Sequence, residues 1–117
     1  GHAFDKAETE GQIRGGVCMG VGYAVMEELE MSEGRIQNHN LDSYIIPTAL
    51  DMPKTTPIVL EIPGRYGPFG AKGLGEPATC IVAPAIVNAV ADAAGRRVRD
   101  LPANLEQVAL GHKVKKK

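Results

Sequence analysis

The stretch FGAKGLGEPATCIVAPAIVNAVADAAG, residues 69–95, carries the decisive signal in this chain. A loop with glycines at positions 70, 73 and 75 runs into an apolar segment at helical spacing. Ala78, Ile81, Val82, Ala85, Ile86, Ala89, Val90 and Ala93 follow the i, i+3, i+4, i+7 pattern of a helix with one buried face. Pro77 suits the first helical position, where its missing N–H is not needed, and Gly95 suits the stop. Pro84 removes the hydrogen bond to the Cys80 carbonyl, so the spacing predicts a kink, or a short turn followed by a main helix from Ala83. Ordering a glycine costs roughly 0.5–1 kcal/mol relative to alanine. Three of them directly ahead of a single carboxylate, Glu76, imply that bare backbone must approach something closely.

Working outward, residues 8–30 predict a long helix, since Ile13, Val17, Val21, Ala24 and Val25 recur at three- and four-residue steps. Glu8 and Glu10 favour its N-terminal dipole end. Gly11, Gly15, Gly16 and Gly20 fall on one side of it, because residues four apart share a face. Such a stripe admits either a second helix or a flat ligand. The segments 29–31 and 35–37 flank a turn containing Gly34 and predict a β-hairpin. Residues 41–46 and 57–62 predict strands, and Thr48 with Asp51 predicts one capped helical turn. Asn104 can cap a last short helix closed by Gly111. The class is α+β, in one compact unit: a long Gly-rich helix, a short β-hairpin and strands, and a second helix after the GLGEP loop.

Composition narrows the function classes. The chain has 117 residues, 44% hydrophobic and 23% charged, with net charge −1. That balance argues for a single globular domain and against nucleic acid as a partner. No run reaches the ~20 apolar residues of a membrane span, and no signal peptide opens the chain. Cys18 and Cys80 lack metal or redox spacing and read as buried free thiols of a cytoplasmic protein. His2, His39 and His112 are scattered, so no metal site built from side chains is expected. Two Phe, three Tyr and no Trp are few anchors for a self-sufficient core. Residues 111–117 read as a disordered basic tail.

The glycine loop is not a Walker loop, because Lys72 precedes the last two glycines and no Ser or Thr follows it. Neither GVCMGVG nor GAKGLG fits a dinucleotide fingerprint. Two readings remain open for Glu76: a helix-start acid with no further task, or an ionised carboxylate held among Leu74, Ala78 and Ile81 as a general base. Lys72 is either an electrostatic partner of Glu76 or a solvated surface lysine.

GAKGLGEP followed by VAPAIVNAVADAAGRRVRDLP resembles the C-terminal segment of the molybdenum-binding subunit of the xanthine dehydrogenase and aldehyde oxidase family. EGQIRGGVCMGVGYAVMEEL and LDSYIIPTALDMP extend the likeness upstream. The resemblance implies that Glu76 is the base at a molybdenum centre. It further implies that Gln12 contacts the pterin and that Gly73, Gly75 and Lys72 belong to the cofactor-binding loop. Asp5 and Lys6 stand where relatives often have Asn-Pro, and Met19 where many have Gln. The implied reaction hydroxylates a purine, another N-heterocycle or an aldehyde with water-derived oxygen. Iron–sulfur clusters, and possibly FAD, would sit on partner domains or subunits. Residues 1–110 would be the C-terminal part of a molybdenum-cofactor-binding domain within a longer subunit, inactive alone, exposing apolar surface and self-associating. The competing reading is a non-catalytic assembly module of a larger complex.

Overall fold

The computed structural model describes residues 1–111. Helix α1, Lys6–Val25, is capped by Asp5, whose side chain accepts the Glu8 N–H at 3.0 Å. Asp5 thus supplies the N-cap that starts the helix. The helix stops at Val25, five residues short of the expected end. The Met26 and Glu27 N–H groups both bond to the Gly22 carbonyl. Three acids follow, Glu27, Glu28 and Glu30, at the dipole end that disfavours negative charge. Buried Asn38 holds that exit by accepting the Glu30 N–H at 2.8 Å and donating to the Glu28 carbonyl at 2.6 Å.

The hairpin forms from β1, Met31–Ser32, paired antiparallel with β2, Arg35–Ile36. Glu33 and Gly34 supply the two positive φ values that its tight turn requires. The strands expected at 41–46 and 57–62 do not form. Residues 40–44 make a turn closed by Tyr44 N–H on the Asn40 carbonyl. Residues 57–62 carry no regular structure and have no ladder partner among the described residues, and the Ile62 N–H bonds locally to the Leu60 carbonyl. A strand exists only through a neighbour, which β propensity alone cannot provide. Thr48 and Asp51 close a turn, the Asp51 carboxylate accepting from the Thr48 N–H at 2.8 Å and hydroxyl at 2.7 Å.

Helix α2, Pro77–Ala94, begins with Pro77 at its first turn and ends at Gly95 in the left-handed region. It runs as one helix through Pro84, so of the two outcomes expected there the break into a short turn and a main helix does not occur. By length and composition this helix could span a bilayer. Here one side of it packs on α1, at the positions where α1 has no side chain. A Cβ on Gly16 would lie 2.7 Å from the Ala78 Cβ, and one on Gly20 would collide with Val82. Gly11 and Gly15 face open space, so only half of the glycine stripe serves the helix pair. Tyr23 ties the pair by donating its hydroxyl to the Thr79 carbonyl at 2.7 Å. Helix α3, Leu105–Leu110, is capped by Asn104 and closed by Gly111, as its sequence predicts.

The unit is α+β but not compact. Its radius of gyration is 17.5 Å, against roughly 13 Å for a globular chain of this length. It exposes 8914 Å², where a compact monomer of this mass exposes roughly 6,100 Å². Among the described residues the buried hydrophobic side chains are Val21, Ala24, Ala83 and Ala103, with Pro102 also buried. Leu60, Phe69, Ile81 and Leu105 are exposed.

Candidate functional site

The glycine loop is built in two parts with different physics. Its first part is tight: Gly64 N–H bonds to the Gly70 carbonyl at 2.8 Å, and a 3-10 turn spans Pro68–Gly70. Gly70 has φ 75°, and a Cβ on Gly67 would strike the Ala71 carbonyl. Both glycines are demanded by the chain itself. Gly73 and Gly75 are different. Neither takes a positive φ, and nothing lies within 4 Å of a Cβ built on either. Internal packing therefore gives no reason for glycine at these two positions.

Glu76 follows at the N-cap position of α2, but its side chain makes no capping hydrogen bond. Its carbonyl accepts from the Thr79 and Cys80 N–H groups at 3.1 and 3.4 Å, which fixes the main chain on the helix side. The carboxylate is exposed and has no hydrogen-bond or ion-pair partner among the described residues. The dry surroundings expected for it are absent, since Leu74 is 36% and Ile81 68% exposed. Lys72 forms no ion pair with it either. Instead Lys72 is an exposed wall of a cleft of about 580 Å³ that also includes Asp5, Thr9, Gln12, Leu60 and Leu74.

Gln12 reaches across from α1 to the loop. Its amide donates to the Gly75 carbonyl at 2.5 Å, linking residues 63 positions apart. The amide oxygen has no hydrogen-bond partner among the described residues. Gln12, Lys72 and Gly73 thus line one cleft, while Gly75 and Glu76 do not line it and are linked to it through the Gln12–Gly75 hydrogen bond.

Sequence reasoning missed Glu61. Its carboxylate accepts the Ala3 N–H at 2.6 Å and stands 4.0 Å from His2 Nδ1. It fastens residues 1–3, one wall of the cleft, to the segment before the loop. No local pattern announces a contact across 58 positions.

Among the described residues no cluster of His, Cys, Asp or Glu could hold a metal ion. What the site offers an incoming group is a bare-backbone edge at Gly73 and Gly75, the free oxygen of Gln12 and one unpartnered carboxylate. A flat organic cofactor carrying its own metal fits that set, because it needs surface, polar contacts and a nearby base in place of metal ligands.

Residues 1–53 match the molybdopterin cofactor-binding domain. The chain is 42% identical over 98 residues to a probable xanthine dehydrogenase subunit of Bacillus subtilis (strain 168), covering 84% of this chain and 13% of that protein. It is 38% identical over 111 residues to the aldehyde oxidoreductase molybdenum-binding subunit PaoC of Escherichia coli (strain K12), covering 92% of this chain and 15% of that subunit. Among solved structures, quinoline 2-oxidoreductase from Pseudomonas putida 86 superposes with a TM-score of 0.82 at 34% identity, over 92% of this chain and 14% of that one. The chain therefore spans about a seventh of the length of the proteins it matches.

Proposed function

Because the chain belongs to the molybdenum-binding subunits of the xanthine dehydrogenase and aldehyde oxidoreductase family, we propose that it forms one edge of a molybdenum-cofactor site, with Glu76 as general base. The reaction is the hydroxylation of an electron-poor carbon in a purine, another N-heterocycle or an aldehyde, with oxygen derived from water. The observation that carries this reading is the pairing of an unpartnered Glu76 carboxylate with glycines at 73 and 75 that the chain's own packing does not require.

The bound cofactor would supply the metal that lowers the pKa of an attacking oxygen and the acceptor for the substrate's electrons. Gly73 and Gly75 would lie against it without Cβ clashes, and the Gln12 oxygen would accept a hydrogen bond from it. Lys72, on the cleft wall, would add positive charge near an anionic cofactor. Glu76 would take up one proton at a carboxylate oxygen as the new bond to carbon forms. The exposed side chains around it would be covered by the remainder of the molybdenum subunit, which would exclude water and hold the substrate. Electrons would leave through iron–sulfur partners, with or without a flavin, in the cytoplasm.

The test is Glu76→Gln in the full-length subunit, which keeps size and shape but removes the basic oxygen. The reductive half-reaction rate per molybdenum should fall by about 10²–10⁴-fold, with molybdenum content retained. Glu106→Gln, on the exposed first turn of α3 and outside the cleft, serves as the control, with rate and molybdenum content unchanged. A Glu76→Gln rate above about a tenth of wild type per molybdenum would refute the assignment.

A further inference from the structure

The Gln12 contact points to a role that cofactor binding does not include. We propose that Gln12 is a positioning residue for Glu76, its amide N–H holding the peptide from which Glu76 projects. The inference rests on the base reading above. The Gly75 carbonyl, the Glu76 nitrogen and the Glu76 Cα lie in one peptide plane, which is rigid. A donor fixed on that carbonyl therefore fixes where the Glu76 Cα sits. On its C-terminal side Glu76 is held by the first turn of α2, through Thr79 and Cys80. On its N-terminal side Gly73 and Gly75 have no Cβ, nothing lies within 4 Å of where one would stand, and the only hydrogen bond to residues 73–75 among the described residues comes from Gln12. The donor itself stands on firm ground. Helix α1 is seated on α2 at Gly16 and Gly20, tied by Tyr23 to Thr79, and capped at Asp5.

The experiment uses the full-length subunit with Gln12→Ala and Gln12→Glu. Three quantities are read: amide exchange at Thr79 and Cys80 in the cofactor-free protein, molybdenum content, and limiting reductive rate per molybdenum across pH. Gln12→Ala should speed exchange at those two amides by about five- to tenfold, as expected for losing one hydrogen bond. It should also lower the limiting rate per molybdenum by about tenfold, at saturating substrate. Gln12→Glu is isosteric but has no N–H when ionised, and regains a donor when protonated. Its rate relative to wild type should climb as pH falls toward the ordinary glutamate range near 4.3, while that of Gln12→Ala stays flat. A purely cofactor-binding Gln12 would instead lower molybdenum content and leave exchange and rate per molybdenum unchanged. That outcome overturns the proposal, as does a Gln12→Glu ratio independent of pH. Failure of the base reading looks different: Glu76→Gln would keep its rate while Gln12→Ala still sped exchange.

Discussion

Alanine at Gly15 and at Gly16 should move stability in opposite directions, although the two positions are adjacent on one helix. In an exposed helix interior, Gly→Ala gains up to ~1 kcal/mol by intrinsic propensity. At Gly15 nothing lies within 4 Å of the new Cβ, so that gain should appear nearly whole. At Gly16 the new methyl would stand 2.7 Å from the Ala78 Cβ, 3.0 Å from the Thr79 nitrogen and 3.1 Å from its Oγ1. Carbon atoms pack at about 3.5–4.0 Å, so the helices must separate by roughly 1 Å. A Cβ and a backbone nitrogen cannot turn aside by changing rotamer, so the cost falls high in the ~1–3 kcal/mol range of overpacked sites. After the propensity gain, Gly16→Ala should be destabilised by about 1–2 kcal/mol, and the two variants should differ by about 2–3 kcal/mol. In thermal melts that gap is roughly 10 °C for a chain of this size. Urea unfolding followed by far-UV circular dichroism measures the difference directly. Equal stabilisation of both variants would refute the helix-pair geometry, and with it the seat on which Gln12 stands.

Asn38→Ala should destabilise by about 1–3 kcal/mol in the same assay, because the buried amide satisfies both Glu28 and Glu30 main-chain groups. The Thr48 hydrogen bonds hold Asp51 below its ordinary pKa of 3.8. The turn is therefore strongest above that value and weakens as acid protonates the folded carboxylate. Asp51→Ala should lose this acid dependence, measured as the pH slope of its stability relative to wild type. The Tyr44 phenol is raised above its ordinary 10.0 by donating to Glu27, so its contribution holds below that pH and is lost as pH rises through the folded value. Ultraviolet titration of Tyr44→Phe against wild type should reveal the missing late-titrating phenol. The chain by itself should associate with rising concentration in light scattering, since large exposed apolar patches mark interfaces; a strict monomer would contradict that.

Local rules made much of this fold legible. Asn104, Gly111, Pro77 and Gly95 announced their helix ends because capping depends on a few neighbouring residues. The hairpin was legible in Gly34, where the turn needs a positive φ. The segments 41–46 and 57–62 misled because a strand depends on a partner, and β-branched composition records only suitability for one. Compactness misled for a related reason: hydrophobic content counts residues without saying whether this chain covers them. At the site, the glycine loop and Glu76 stood out by spacing. The division of its glycines into Gly67 and Gly70, needed by the fold, and Gly73 and Gly75, not needed by it, required coordinates. So did Glu61 and the Gln12 tether, since each joins segments about sixty positions apart.

Helix α1 is gripped at both ends. Near its start Gln12 holds Gly75, and near its end the Ala24 carbonyl accepts the Ala103 N–H at 2.7 Å. Twelve residues separate the two grips, about 18 Å along a helix. A rod pinned at Gly16 and Gly20 and gripped at its ends acts as a lever. If an occupant moves the glycine loop, a rigid α1 should carry that movement to residues 102–104. A fluorophore at exposed Leu105 should therefore change its emission when the cleft is filled, and that response should vanish in Gln12→Ala. An unchanged response in that variant would mean that α1 is not the lever.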